Sequence, residues 1–325
     1  MQTTQTSAAF IEAQQYSDFI LANLHDGLLP EQFYRNVSDF PSGTTLNIKV
    51  VGAATIQDVE EDKAITYNPI DSSTITLAIT DYIGDAWYVT DVLRQDGSQI
   101  EALMAMRATE STRAVQEDFE SKFLRVAGVT SQTASNANLV NGFAHRWIAD
   151  SAADNTHKIG LTDFVDMKLS FDKANLPQAG RIACVDPVVE GTLNKLAANF
   201  SVDRNAKFQA LLEEGFVRDH KFMFNLYGWD IYTSNRLARL TAAETITGPS
   251  GVAETSVVGD IANVFMCVLD DSVKPIMGAW RQMPKTEGER DMDNARDKFA
   301  VRARWGFGRQ RSESLGVVIT SATAY

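Results

Sequence analysis

One stretch limits what this chain can fold into more than any other. From Ser98 to Gly128, apolar residues recur at Ile100, Leu103, Met104, Ala108, Val115, Phe119, Phe123 and Val126, mostly three or four apart. Arg107, Glu110, Arg113, Glu117, Glu120 and Lys122 occupy most of the positions between them. This is the pattern of one helix with one apolar stripe. Ser98-Gln-Ile-Glu101 opens it as a capping box, and Gly128 supplies the stop. At about 1.5 Å per residue, a helix over 98–127 runs roughly 45 Å, where about eleven residues is the usual length. A rod this long braces sheets that would otherwise lack a shared core.

Two elements ahead of the rod cannot bury their own apolar faces. Residues 1–40 read as an arm: a polar start, a helix from Ala8 to Leu24 ended by Gly27, then an irregular piece carrying Phe33 and Tyr34. Residues 44–92 are the first strongly β region and read as a long two-stranded hairpin. Leu46, Ile48 and Val50 alternate with polar residues, as do Ile75, Leu77 and Ile79. Between them lies a charged tip, Gln57 to Lys63. A two-stranded ribbon of that length is marginal in water unless a further surface covers it.

Behind the rod, Thr130 to Asn141 is polar and reads as a loop. An α/β rhythm follows. Thr162 caps a helix to Ala174, Arg181 to Val185 is a buried strand, and Asp186-Pro187 opens the next helix with a cap and a proline at its first position. A further helix spans Asn205 to Glu214, and Phe216 to Thr233 returns as strand around a turn at Gly228. Ala262 to Leu269 is strand, Thr286 to Lys298 a charged loop, Phe299 to Phe307 an alternating strand, and Leu315 to Thr320 the last strand.

Signatures of catalysis are missing. His25, His145, His157 and His220 fall in unrelated segments without metal-ligand spacing. Gly306-Phe-Gly308 lacks the rest of a dinucleotide turn. Asp291-Met-Asp293-Asn294 lacks the glycine and the twelfth-position glutamate of a calcium loop. Asp58, Glu60, Glu61 and Asp62 are near-consecutive, which suits a solvated tip better than a cation site. Cys184 and Cys267, the only cysteines, each lie in an apolar run and read as buried thiols, with a disulfide between them left open. A net charge of −12 argues against a wide basic surface for gripping nucleic acid, yet suits a wall that must not adhere to it. No apolar run is long enough to span a membrane.

The order of parts then carries a resemblance. Arm, long hairpin, rod, α/β module and return strands resemble the major capsid (coat) protein of tailed bacteriophages, a fold shared with encapsulins. Local strings agree with it: Asn175-Leu176-Pro177, Gly180-Arg181 with a strand closing at Val185-Asp186-Pro187, and Gly228-Trp-Asp-Ile-Tyr-Thr-Ser234-Asn235-Arg-Leu237. Trp305-Gly306 fits a C-terminal pattern, while Arg311-Ser312-Glu313 has serine where the family has proline.

The resemblance implies an α+β capsid fold. It has an N-terminal arm (1–40), an extended β-hairpin loop (41–92), a peripheral domain on the spine helix (93–150 and 285–325), and an axial α/β domain (151–284). It implies a structural protein with no catalytic, cofactor-binding or metal residues. Many copies, as pentamers and hexamers, would form an icosahedral head shell around packaged double-stranded DNA. Scaffolding, portal and decoration proteins would be further partners, with synthesis in the host cytoplasm and no membrane. One family member makes a Lys–Asn isopeptide bond in its extended loop; Lys63 occupies a comparable tip, where four neighbouring acids give it a charge-balancing role. An encapsulin-like protein-cargo shell, and an α+β enzyme with a spatially assembled site, are the alternative readings.

Overall fold

The computed structural model describes residues 33–37, 43–52, parts of 56–70, 72–96, 100–128, 137–149, 156–199 and 222–323. In chain order, β1 (Arg35–Asn36) is followed by the ribbon strands β2 (Thr45–Val51) and β3 (Ser72–Ala78), then β4 (Asp81–Thr90) and the short helix α1 (Asp91–Asp96). The spine helix α2 spans Ile100–Gly128. Short strands β5 (Leu139–Val140), β6 (Phe143–Ala144) and β7 (Arg146–Ile148) lead to α3 (Leu161–Lys173), β8 (Arg181–Val185) and α4 (Pro187–Asn199). The hairpin β9 (Phe222–Leu226) and β10 (Trp229–Thr233) turns through Tyr227 and Gly228, both at positive φ. A small hairpin β11 (Thr245–Thr247) and β12 (Ala253–Thr255) precedes β13 (Ile261–Cys267). Two long strands, β14 (Ile276–Asp291) and β15 (Arg296–Arg309), and then β16 (Leu315–Thr320) complete the chain.

These elements stack in layers. A six-stranded sheet runs β7-β16-β13-β8-β10-β9, and a four-stranded sheet runs β1-β14-β15-β4. The spine helix lies between them. Within the six-stranded sheet β7, β8, β13 and β16 are buried along their whole length, which is why β8, β13 and β16 read as continuous apolar runs rather than alternating ones. Along β8, Ile182 and Cys184 face the spine helix, while Ala183 and Val185 face the core that holds Phe164, Met167 and Phe171 of α3. β13 alternates likewise, with Val264 and Met266 on the first side and Phe265 and Cys267 on the second. Cys184 and Cys267 therefore belong to opposite faces and are not joined by a disulfide, which closes that option. Burial pushes the Cys267 thiol pKa up, as for an inert core thiol.

The rod's stripe is aromatic at its centre. Phe119 stacks on Trp280 at 4.9 Å and meets Trp305 and Phe307 edge-on at 5.5 and 4.8 Å. Tyr34 packs on Phe119, Phe123 and Phe307. The end of the arm thus differs from the expectation that it lacks cover within its own chain. Phe33 and Tyr34 are buried in the spine-helix core, and Arg35–Asn36 pairs in parallel with Met277–Gly278.

Other expectations are corrected. Thr286 to Lys298 is no loop: β14 continues to Asp291 and β15 begins at Arg296, with only a tight turn between. Charge misled here, because one face of a sheet edge can be fully polar and still pair its backbone. The cap of α3 is not Thr162. Asp163 reaches back to accept from the Gly160 amide at 2.7 Å and also accepts from the Trp147 indole at 3.0 Å. The Asp186 cap holds, its carboxylate accepting from the Val188 amide at 3.0 Å. Trp87, Tyr88 and Val89 belong to β4, an edge strand paired along β15 from Asp81↔Trp305 to Thr90↔Arg296. Both sheets also cross the boundaries drawn from sequence: β7 and β16 join β8 and β13, while Ile276 to Trp280 lies in the four-stranded sheet. The helix over 205–214, the arm helix over 8–24 and the Ser98 cap lie outside the described residues.

Candidate functional site

The ribbon is built as two different halves. At its base, β2 and β3 pair antiparallel with Leu46 opposite Leu77 and Ile48 opposite Ile75. These side chains, with Ile79 and Val37, pack on Met277 and Ala279 of β14; Leu77 and Ile79 are buried. The Gly306-Phe-Gly308 string explains the fit. A Cβ at Gly306 would collide with the Ala78 carbonyl, and one at Gly308 would stand 3.0 Å from the Leu77 side chain. Two glycines on β15 open the room in which the ribbon crosses the sheet.

Beyond that anchor, cover is lost. Val51, Ile56, Val59, Tyr67 and Ile70 are exposed, Ile56 at 95% and Tyr67 at 91%. Large apolar side chains this exposed, collected on one projecting element, mark an interaction surface rather than scattered surface residues. Asp58, Glu61 and Asp62 are exposed at the tip, with Asp62 at positive φ. Glu60 and Lys63 lie outside the described residues.

Beneath the ribbon, ion pairs fix the spine helix to both sheets. Glu120 is buried; its carboxylate accepts from the Ser234 hydroxyl at 2.6 Å and from the Arg236 guanidinium at 2.9 Å. Arg236 also reaches Glu117 at 2.8 Å, and Glu117 pairs with Arg113 at 3.0 Å. Hydrogen bonds from Arg113, with the charge of Arg236 beside it, hold the Glu117 carboxyl below its ordinary pKa. This clamp was not found in the sequence, where Glu120 passes for one of the solvated charges. The Ser234-Asn235 string at the end of β10 was the available signal. On the other side, Lys122 pairs with Asp81 at 2.6 Å, and Asp85 accepts from Arg107 at 2.8 Å and from Ser111 at 2.5 Å. Burial pushes the neighbouring Asp118 carboxyl up, against the pull of Lys122.

The far end of β14 and β15 is stitched by charge. Arg290 pairs with Asp91 and, at 3.0 Å, with Asp297, which also takes Arg94 at 2.9 Å. Asp291 accepts from Lys298 at 2.5 Å, Asn294 at 2.9 Å and Arg296 at 3.0 Å, and these bonds hold its carboxyl far below the usual range. The string that resembled a calcium loop is thus a self-satisfied hairpin turn.

The remaining singled-out residues are not brought together. His157 pairs with Asp260 at 3.1 Å, whereas His145 lies buried against Phe171. His25 and His220 lie outside the described residues. Among the described residues no group of three metal-ligating side chains converges, and no helix is long and apolar enough to cross a membrane. A concavity of about 610 Å³ on the outer face of the four-stranded sheet is lined by Tyr88, Lys298, Arg302, Glu287 and Glu289, without a nucleophile and base in contact.

Comparison with known proteins agrees with this geometry. A family model described as phage capsid protein matches residues 72–320. A search of curated proteins by sequence found no match. Among solved structures, the chain resembles a protein of Mycobacterium phage Che8, with a TM-score of 0.56, 16% identity, and coverage of 91% of this chain and 90% of that one. It resembles the mature capsid of bacteriophage PhiM1 with a TM-score of 0.62, 13% identity, and coverage of 90% and 86%. A virus-like particle from Pyrococcus furiosus aligns with a TM-score of 0.51, 10% identity, and coverage of 94% and 99%. At these identities the likeness is one of fold.

Proposed function

The chain belongs to the phage capsid protein family, and from that premise we propose that many copies of it close into the icosahedral head shell of a tailed phage around packaged double-stranded DNA. It is a structural protein of the virion capsid. The observation that carries the assembly reading is the exposed upper ribbon, with Ile56, Tyr67 and Ile70 more than four-fifths exposed on an element whose base is firmly anchored. A second copy supplies the cover that the subunit lacks, and a closed shell repeats that contact at every copy.

Within that reading, 1–40 is the arm, 41–92 the extended loop, 93–150 with 285–325 the peripheral domain, and 151–284 the axial domain that clusters at fivefold and sixfold vertices. Strands β7 and β16, from the stretches given to the peripheral domain, complete the six-stranded sheet, and Ile276 to Trp280 joins the four-stranded one, so the two domains interlock through their strands. DNA is held by confinement, as suits a wall of net charge −12. Portal, scaffolding and decoration proteins are the further partners, synthesis takes place in the host cytoplasm, and the isolated chain turns over no substrate. Lys63 balances charge at the tip and makes no cross-link.

Electron microscopy of the purified protein tests this reading. Uniform closed particles are expected, and a monodisperse monomer at high concentration would overturn it. A protein-cargo shell shares the fold. Particles from infected cells that yield protected double-stranded DNA after nuclease treatment distinguish the head shell from that container.

A further inference from the structure

At the C-terminal end of the spine helix lies a small internal space bounded by Ala127, Gly128, Asn138, His145, Arg146, Leu315 and Val317, all of them buried. Its volume is about 10 Å³, room for one water molecule and for nothing the size of a phosphate.

His145 is the wall that decides what belongs there. The ring is fully buried and stacks on Phe171 at 5.6 Å. Its Nδ1 lies 3.1 Å from the Phe143 carbonyl oxygen. A carbonyl can only accept, so Nδ1 carries the hydrogen. Burial holds the imidazole pKa below its ordinary value and favours the neutral ring. In that tautomer Nε2 is a bare acceptor, and among the described residues no donor reaches it. Buried acceptors without a donor are rare in folded proteins.

We propose that this space holds one ordered water molecule, which donates to His145 Nε2 and is shared with the end of the spine helix and the Arg146 side chain.

Two arginines nearby raise the case for an anion instead. Arg146 lines the space, and Arg309 lies close enough that, after burial, Arg146 is the second reason its pKa is pushed down to about 10. The chemistry decides against it. An anion needs donors, whereas His145 presents a lone pair. Glu244 already lies 2.7 Å from Arg146 Nη2 and balances its charge. Only a molecule that both donates and accepts matches the wall.

The location gives the water a role. The last carbonyls of a helix have no donor within the helix. Arg309 Nε serves the Val126 carbonyl at 3.2 Å, and the water serves the turn's end at Ala127 and Gly128. The spine helix is then held at its C-terminus, as the Glu120 clamp and the Lys122–Asp81 pair hold its middle. This proposal does not depend on the shell reading.

High-resolution maps of the full chain test it, recorded once in chloride and once in bromide, together with His145→Phe. The expected result is one density peak within about 3.2 Å of Nε2, equal in both salts and lost in His145→Phe. Nitrogen-15 spectra of histidine-labelled wild type should report the neutral ring with its hydrogen on Nδ1, even if the phenylalanine variant fails to fold. An empty space in a map that resolves other buried waters, a stronger peak in bromide, or an imidazolium signal at neutral pH would overturn the proposal.

Discussion

The base of the ribbon and the segment that joins its two strands lie in one continuous stretch of chain, and they have opposite fates. At the base, Leu77 is fully buried against Met277 and Ala279 because Gly306 and Gly308 let the strands approach. Farther up, Ile56, Tyr67 and Ile70 have comparable chemistry and no cover. Alternation of apolar and polar residues states only that a strand has a face to hide. What hides it is decided elsewhere in the chain, or in another copy. One hairpin therefore serves as core at one end and adhesive at the other.

The sharpest way to break that contrast is to remove the upper part. Replacing Val59 to Pro69 with an Asn-Gly turn should leave the subunit folded, with its melting transition unchanged, and should abolish closed particles in micrographs. Loss of the fold would mean that the upper ribbon is also core. Normal particles would move the adhesive surface down to the strands below Val51 and above Ser73.

Point substitutions sharpen the same contrast in energy. Leu77→Ala should destabilise the unassembled subunit by about 2–5 kcal/mol in denaturant titrations. Ile70→Ala should change it by less than about 0.5 kcal/mol while weakening assembly. Phe119→Ala, which empties the centre of the aromatic cluster, should cost about 3–5 kcal/mol. Equal effects for Leu77 and Ile70 would erase the distinction between anchor and adhesive.

The spine-helix clamp offers a smaller test. Glu120→Gln keeps the shape but weakens bonds to a buried carboxylate, so a loss of about 1–3 kcal/mol is expected. Glu117 is more exposed and shares Arg236 with Glu120, so Glu117→Gln should cost a few tenths. A larger loss at Glu117 than at Glu120 would place the working end of the clamp on the solvent side.

Much of this architecture was legible in the residues. The rod, both ribbon strands, β8, β10, β13 and β16 follow from periodicity and caps, since a helical stripe and a strict alternation survive in a single sequence. Three things were not legible. Thr286 to Asp291 read as loop because its side chains are polar, although the strand is defined by its backbone pairing to β15. Burial of Phe33 and Tyr34 depended on a pocket formed by Phe119, Phe123 and Phe307, which no local pattern announces. The role of Glu120 depended on Ser234 and Arg236, more than a hundred residues away. The glycines at 306 and 308 were visible, but their reason lies in a strand over two hundred residues earlier.

Acid should separate the ribbon from the other long projection of the molecule, the far end of β14 and β15, which is held by its own ion pairs. Asp91 and Asp291 have folded pKa values below their ordinary ones because of Arg290, Lys298, Asn294 and Arg296. A depressed carboxylate contributes stability that is complete above the unfolded value of about 3.9. That contribution is lost as pH falls through the folded one. Asp118 and Asp186 have the opposite sign: burial raises them, so what they contribute is present below about pH 3.9 and fades as pH rises through their folded values. Stability measured from neutral pH downward should therefore hold or rise slightly at first, then decline below about pH 4. Asp91→Asn should flatten the acid limb, and Asp118→Asn should flatten the gentle slope above it. The shortened-ribbon variant should trace the wild-type curve throughout, because the charges that set both limbs, Asp91, Asp118, Asp186 and Asp291, all lie outside the ribbon. A changed acid limb in that variant would mean that the ribbon braces the sheet end through the body of the subunit, and the two projections would no longer be independent.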